Sequence, residues 1–189
     1  MQLIIISGRS GSGKSTALHQ LEDEGYYCID NLPVSLLPSL VDKASREEFG
    51  HFRGTAVCID ARNAWKDLAN FGKVMEELPE SVNSEVLFLD AQESALIKRF
   101  SETRRKHPLS SDTMPLAEAI DQERLLLEPI SIAASLVLDT SEMTIYELRD
   151  AIKQRLLGAE SGSMSVLIQS FGFKRGVPTD ADLVFDVRM

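Results

Sequence analysis

The sequence predicts an α/β protein with a mainly parallel sheet and flanking helices. Its short apolar segments alternate with helical patterns, and they lack the polar–apolar alternation of strands that face water. Four of the five segments end on an aspartate, and the first leads into a loop rich in glycine and serine. The predicted strands are residues 3–7, 26–30, 55–60, 85–90 and 135–139.

The loop after the first predicted strand matches the phosphate-binding pattern G-x-x-x-x-G-K-[ST] at every required position. Successive N–H groups of such a loop point at phosphate oxygens, and the following helix adds its positive end. We expect Lys14 to bind the β- and γ-phosphates and to act in catalysis, and Ser15 to ligate Mg²⁺. This motif makes the predicted fold P-loop NTPase/kinase-like. The predicted nucleotide-binding residues of the loop are Gly8, Arg9, Ser10, Gly11, Ser12, Gly13, Lys14 and Ser15.

Three helices have recognisable ends. The first begins inside the loop and stops near Gly25, a residue type common just after helices. Another begins near Pro115 and carries an apolar stripe. The last begins at Thr144, where Thr144 and Glu147 fit a capping box, and it ends near Gly158.

The strand-ending aspartates are expected to share one rim, because ligands of parallel sheets bind at the carboxyl ends of the strands. Asp30 and Asp60, each at the end of a neighbouring strand, are the candidates for holding the metal ion through water. We also assign Asp60 a catalytic role, together with Lys14. The alternative for each aspartate is an ordinary turn at the end of a strand.

The segment Asp60-Ala61-Arg62-Asn63 extends this rim and is a second predicted nucleotide contact. Arg62 either meets phosphate with its planar fork or is a solvated loop residue. Further along the chain, Thr140 and Ser141 either line a base pocket or only support a turn. The chain contains no Asn-Lys-x-Asp signature of guanine recognition, so the predicted cofactor is ATP or GTP with Mg²⁺.

One strongly basic stretch stands out, formed by Lys98-Arg99 and Arg104-Arg105-Lys106-His107. P-loop kinases close an arginine-bearing lid over the transferring phosphoryl group at this place in the chain order. Docking of an anionic partner such as RNA is a second interpretation. A solvated helix face, balanced in part by Glu102, is the third.

Composition limits the classes of function. The net charge of −9 disfavours a broad nucleic-acid-binding face, so RNA contact needs a local patch or another domain. Cys28 and Cys58 are expected to be buried small hydrophobes rather than a metal or redox pair. The sequence has no apolar run long enough to cross a membrane and no recognisable signal peptide, so we expect a cytoplasmic protein.

The predicted domain organisation depends on a short polar stretch after the last of these helices. Residues 1–158 form the predicted nucleotide-binding domain, and residues 159–163 form a linker. Residues 164–189 are too few to build a core of their own. We interpret them, with predicted strands at 166–173 and 183–187, as the truncated start of a C-terminal domain.

Several segments together resemble the bacterial RapZ-type proteins. The P-loop alone is generic, whereas the strand end Asp30-Asn31-Leu32-Pro33 and the segment Ser170-Phe171-Gly172-Phe173-Lys174 are much more specific. The resemblance covers the chain from end to end. It is also carried by residues 60–63, 101–109, 139–143 and 181–188.

The resemblance implies an RNase adapter whose P-loop domain binds ATP and GTP and hydrolyses them weakly at most. Family members regulate amino-sugar synthesis by binding a small RNA and presenting it to an endoribonuclease. Their GTP site is associated with the motif found here at Asp60-Ala61-Arg62-Asn63. Their main RNA-binding surface lies in the C-terminal domain, so we expect RNA contact and homo-oligomerisation only in the full-length protein.

The rival interpretation is a small-molecule or nucleotide kinase. Lys14 and Arg104 or Arg105 would then act on the phosphoryl group, and Asp30 would lie beside an acceptor. Residues 34–40 are mostly apolar and offer little polarity to orient an acceptor, which favours the adapter.

Overall fold

The computed structural model describes residues 1–46, 48–156, 158, 184 and 185. The chain divides into two compact units, Met1–Ala159 and Glu160–Met189. The predicted linker and C-terminal segment lie outside the described residues, apart from 184 and 185, so these boundaries stay predictions. The elements are β1 (Gln2–Gly8), α1 (Lys14–Asp23), β2 (Tyr27–Ile29), a 3₁₀ turn (Val34–Leu36), α2 (Leu37–Ser45), β3 (Thr55–Cys58), α3 (Trp65–Ala69), α4 (Phe71–Glu76), β4 (Asn83–Asp90), α5 (Glu93–Thr103), α6 (Leu116–Ile132), β5 (Leu136–Asp139) and α7 (Ile145–Leu156).

All five predicted strands are present, and they form one parallel sheet in the order β2-β3-β1-β4-β5. Strand β1 lies at the centre and pairs with both β3 and β4. The predicted fold class is therefore confirmed. Because all strands run the same way, their carboxyl ends meet at one edge, and the loop that follows β1 lies in the middle of that edge.

The core has two layers, one on each face of the sheet. On β1, Leu3 and Ile5 belong to one apolar cluster and Ile4 and Ile6 to the other, as the two-residue period of a strand requires. Side chains of α2, α3, α4 and α6 cover the first face, and side chains of α1 and α7 cover the second. Helices thus cover both faces of the sheet.

The expectation of strands covered on both faces holds for the inner strands and fails at one edge. Every residue of β3 is buried, as are the six residues of β1 after Gln2. On the edge strand β5, however, Val137 is exposed. An edge strand pairs on one side only and is less completely covered by helices.

The predicted helix ends agree with the structure. Helix α1 ends two residues before Gly25, and α6 begins directly after Pro115. The capping box is formed: Thr144 donates its N–H to the Glu147 carboxylate (2.8 Å), and the Glu147 N–H is bonded to the Thr144 hydroxyl (3.2 Å). None of the helices in the described part is long and apolar enough to span a bilayer.

The four aspartates do share the carboxyl edge of the sheet, but they do not occupy equivalent places. Asp90 and Asp139 end β4 and β5 and lie opposite each other in register. Asp30 follows β2 by one residue and Asp60 follows β3 by two, so those strands are shorter than predicted. Strand β3 ends early because Asp60 turns the chain, accepting the Arg62 N–H at 2.9 Å.

Gly8→Ala is predicted to destabilise the fold by about 3 kcal/mol or more. Gly8 has φ +140°, and a Cβ there would overlap the backbone of Leu89 in β4. Gly72→Ala is the matched control, because Gly72 lies in α4 with no atom near its added methyl. This control is expected to gain about 0.5–1 kcal/mol from helix propensity. Urea denaturation measures both changes, and equal stabilities would contradict the close packing of β1 on β4.

Candidate nucleotide-binding site

The carbonyl oxygens of the loop between β1 and α1 are held by donors from several elements. Lys14 donates from Nζ to the carbonyls of Gly8 (2.8 Å) and Arg9 (3.1 Å). Arg99 of α5 donates to the Gly11 carbonyl (3.0 Å), and Thr140 after β5 donates to the Ser12 carbonyl (2.9 Å). Oxygens that are fixed in this way do not turn toward a bound anion. The N–H groups that begin α1 lack partners inside the helix and remain available to phosphate.

Ser10 attaches the loop to α6 through a buried carboxylate. Its N–H and its hydroxyl both donate to Glu123, at 2.8 and 2.7 Å. His107 approaches the same carboxylate with Nε2 at 3.0 Å, and both His107 and Glu123 have fully buried side chains. Glu123 therefore ties the loop to His107, the last residue of the basic stretch.

The hydrogen bonds around His107 indicate which ring nitrogen carries the proton. The Leu109 N–H donates to His107 Nδ1 (3.2 Å), so Nδ1 is the acceptor and Nε2 carries the hydrogen directed at Glu123. Burial acts to raise the pKa of Glu123, but the bond from His107, the charge of Lys14 and the bonds from Ser10 lower it below the ordinary value. Glu123 is thus an ionised carboxylate with donors on both oxygens.

Arg9 attaches the loop to the end of β4. Its buried side chain donates from Nε to Asp90 (2.6 Å) and from Nη2 to the Ala91 carbonyl, at the end of β4. The guanidinium is therefore occupied and does not line the cleft described below. Contact of Arg9 or Gly8 with a nucleotide stays a prediction.

The structure brings Asp30, Cys58 and Asp60 together at the ends of β2 and β3, with one ligand atom from each within 4.8 Å of the others. Burial raises the pKa of Cys58 to about 12, so its thiol stays protonated. The two carboxylates are the hard oxygen ligands that Mg²⁺ prefers, and Ser15 lines the same cleft. The donor set therefore fits a magnesium ion. Both cysteines are free; Cys58 is buried, as predicted, whereas Cys28 is only half-buried.

The residues after Asp60 have structural partners. Arg62 bonds to the Asp60 carboxylate through Nε (2.9 Å) and Nη2 (2.6 Å). Asn63 accepts the Val34 N–H (2.9 Å) and donates to the Leu32 carbonyl, which fixes the segment after β2. Ala61 packs in the core. Of these three residues only Arg62 lines the cleft, and nucleotide contact by the others stays a prediction.

A cleft of about 950 Å³ opens in front of the loop, large enough for a cofactor. Its lining contains the loop and α1 residues Ser10 to Thr16, the strand-end residues Asp30, Cys58 and Asp60, and part of α7. The charged side chains that line it are five basic and three acidic, in a protein of net charge −9. The basic ones are Lys14, Arg62, Arg99, Arg105 and Lys106, and the acidic ones are Asp30, Asp60 and Glu102.

The residues of the basic stretch lie in different places relative to the cleft. Arg99 is bound to the loop and to Thr140, so it holds the site together from α5. Arg105 and Lys106 are exposed on the rim of the cleft, as a lid would require, whereas Lys98 and Arg104 do not line it. Ser141 bonds to Asp139 and supports the turn after β5, so the turn interpretation fits Ser141.

Two features of the loop are compatible with binding the linked phosphates of a nucleotide. The Ser12 hydroxyl is buried and has no hydrogen-bond partner among the described residues. Gly13 has φ +107°, and a Cβ there would lie 2.6 Å from Leu148 of α7. The loop is therefore narrow at Gly13 and keeps one spare polar group at Ser12, as expected of a cradle for a polar ligand.

Sequence reasoning missed the residues that support the loop from behind. Glu123 lies on the buried stripe of α6 with Ala119, Ile120 and Leu127. A charged residue on an apolar helix face was the available signal, because such a residue needs a partner when buried. His107 gave no signal, since it follows three exposed basic residues in the chain.

Glu123→Gln is predicted to lower the free energy of unfolding by about 2 kcal/mol at neutral pH, because it removes the charge from several hydrogen bonds. Because folding lowers the pKa of Glu123 below its ordinary value of 4.5, ionised Glu123 stabilises the fold above pH 4.5. This stabilisation is lost as the pH falls through the pKa of Glu123 in the folded state. The difference from wild type should therefore shrink below pH 4.5. Urea denaturation across pH measures it. The exposed Glu128→Gln, on the same helix, should change stability by less than about 0.5 kcal/mol; an equal effect of both variants would contradict the assignment.

Sequence comparison finds relatives that match the whole of this chain. A protein of Hahella chejuensis named "Nucleotide-binding protein" is 53% identical over 189 residues, and one of the same name from Pseudomonas aeruginosa is 56% identical. Each match covers 100% of this chain and 66% of the relative. The chain thus spans just under two thirds of the length of these relatives.

Solved structures agree on the fold. A sugar kinase from Janibacter has a TM-score of 0.51 and 18% identity, over 84% of this chain and 93% of that one. A shikimate kinase from Bacteroides thetaiotaomicron has a TM-score of 0.52 and 14% identity, over 83% of this chain and 98% of that one. At such identities the likeness concerns the P-loop kinase-like fold alone.

Two domain families match in sequence. The RapZ-like N-terminal domain matches residues 1–160, and the RapZ C-terminal domain matches residues 164–189. The first match includes the loop, its supporting residues and all five strands described above. The chain therefore belongs to the RapZ-like nucleotide-binding protein family.

Proposed function

We propose that this chain binds a nucleoside triphosphate with Mg²⁺ in the 950 Å³ cleft and serves as the nucleotide-responsive part of a RapZ-type RNase adapter. The observation that carries the first half is the loop itself. Its carbonyls are held by Lys14, Arg99 and Thr140, while the N–H end of α1 opens on a basic cleft. An anion with several negative oxygens complements such a site better than any neutral ligand.

Each part of the cleft has a role in this proposal. The loop N–H groups and Lys14 bind the β- and γ-phosphates, and Ser15, Asp30 and Asp60 hold Mg²⁺, directly or through water. When bound, Mg²⁺ neutralises charge on the phosphates. Arg105 and Lys106 lie on the rim, where they approach the same phosphates. ATP and GTP are both candidates, because the chain contains no Asn-Lys-x-Asp signature of guanine recognition.

The regulatory role is preferred over a kinase because of the segment after β2. There Val34, Leu37, Leu40 and Val41 are buried in the core beneath the sheet. Asn63 bonds to the backbone at both Leu32 and Val34, which holds this segment closed. The cleft takes none of its lining from residues 31–57. A kinase would need an acceptor beside the transferring phosphate, and this side of the cleft is filled with apolar side chains.

The partners belong to the complete protein in this proposal. By its family, the full-length protein would bind a small RNA, present it to an endoribonuclease and so control amino-sugar synthesis. This chain is acidic overall and has basic side chains on the rim of the cleft. A main RNA-binding surface in a further domain would supply the positive charge that RNA binding needs. Hydrolysis is proposed to be weak, and the full-length protein to be a cytoplasmic homo-oligomer.

Lys14→Ala is predicted to weaken binding of Mg·ATP or Mg·GTP by about 10- to 100-fold, because a charge-assisted contact to phosphate is lost. Isothermal titration calorimetry on the whole chain measures the change. Lys73→Ala is the matched control, since Lys73 is an exposed lysine on α4. If Lys14→Ala and Lys73→Ala both bind like wild type, the loop does not bind phosphate and the proposal is wrong.

Turnover separates the adapter from the kinase. With nucleotide bound, phosphate release is predicted to be far slower than the ~1–100 s⁻¹ of working kinases. Addition of sugars, shikimate or nucleoside monophosphates is predicted to leave it unchanged. A long phosphate-release assay measures this. Strong stimulation by one small acceptor would establish a kinase and exclude the regulatory role.

A further inference from the structure

The guanidinium of Arg62 lies on the two carboxylates that the proposed metal site would use. Its Nε is 3.1 and 2.9 Å from the two oxygens of Asp60, and its Nη2 is 2.6 Å from the second of them. The same Nη2 is 3.7 Å from Asp30. One cation of the chain thus pairs with both aspartates at the ends of β2 and β3.

This guanidinium is not needed to build the turn on which it sits. The Arg62 backbone N–H already donates to Asp60 (2.9 Å), and the Asn63 N–H bonds to the Asp60 carbonyl (3.0 Å). Those two bonds fix the chain after β3, whatever the side chain at position 62. The side-chain bonds are additional, and what they neutralise is the buried charge of Asp60.

A metal ion and the guanidinium need the same lone pairs. Asp30 and Asp60 lie close enough to ligate one ion. With both oxygens of Asp60 bonded to Arg62, Mg²⁺ can bind Asp60 directly only after the guanidinium moves. The side chain is 46% exposed, so it is free to leave.

We infer that Arg62 is a tethered cation that occupies the Asp30–Asp60 pair and must be displaced by the incoming metal ion. The inference rests on the proposed nucleotide function and deepens it. Without nucleotide, Arg62 offsets one of the two carboxylate charges, and the affinity of the site for divalent cations is low. When metal arrives with the phosphates, Arg62 is released on the wall of the cleft, where its planar fork fits a phosphate oxygen pair. Arg62 would therefore be a positioning residue that couples metal loading to phosphate contact.

The test uses Mn²⁺ as the probe and the nucleotide-free chain, with free Mn²⁺ followed by electron paramagnetic resonance. Arg62→Met removes the charge and keeps much of the length of the side chain. It is expected to tighten Mn²⁺ binding about fivefold or more, because the competing ion pair is gone. The control is Arg46→Met, since Arg46 pairs with Asp42 on the surface of α2. It should change Mn²⁺ affinity by less than about twofold.

Unchanged or weaker Mn²⁺ binding by Arg62→Met would overturn the inference, as would failure of both wild type and variant to bind the ion. Arg62→Lys is the second variant if Arg62→Met does not fold, as judged by thermal unfolding. Lysine keeps the charge but loses the fork, so Mn²⁺ binding should again be tighter than in wild type, by a smaller factor; wild-type affinity would count against the inference.

Nucleotide binding without metal separates this inference from the proposed function. Wild type is titrated with ATP and with GTP in excess chelator, and Lys14→Ala serves as the negative control. If wild type binds nucleotide but Arg62→Met does not gain Mn²⁺ affinity, only the role of Arg62 is wrong. If wild type binds no nucleotide with or without metal, the proposed function itself fails.

Discussion

The double hydrogen bond from Ser10 to the Glu123 carboxylate is the interaction on which the rest of the site depends. It joins the loop after β1 to the middle of α6, and α6 covers one face of the sheet. A carboxylate buried in that position would be costly without partners, and Ser10 and His107 supply them. The same carboxylate therefore fixes the loop, the segment that carries the basic rim, and the helix behind both.

The charge of the cleft is opposite in sign to the net charge of the chain. The chain carries −9 overall, yet basic side chains outnumber acidic ones around the cleft. Two of these cations, Lys14 and Arg99, are already bonded to loop carbonyls. Cations that are held in place lose little freedom when an anion binds, so the site is organised before its ligand arrives.

Much of the fold could be predicted from the sequence because its signals are local. Apolar runs mark the five strands, Thr144 and Glu147 mark the start of α7, and the loop pattern is specific. Within the site, the sequence correctly grouped the strand-end aspartates but could not supply their partners. Whether Arg62 faces solvent, phosphate or Asp60 depends on a side-chain conformation that no periodicity encodes. The link from Glu123 to Ser10 joins residues 113 positions apart, which only the assembled sheet brings together.

The ion pair between Arg9 and Asp90 bears on how freely such loops can be exchanged between proteins. Position 9 is one of the four unspecified places in the motif, as is position 10, yet both carry bonds to distant elements here. A loop transplanted from another nucleotide-binding protein could satisfy the motif and still leave Asp90 without its ion pair and Glu123 without the bond from the Ser10 hydroxyl. Compatibility is therefore a property of the whole sheet edge, and the loop and its supporting residues would have to change together in evolution or in engineering.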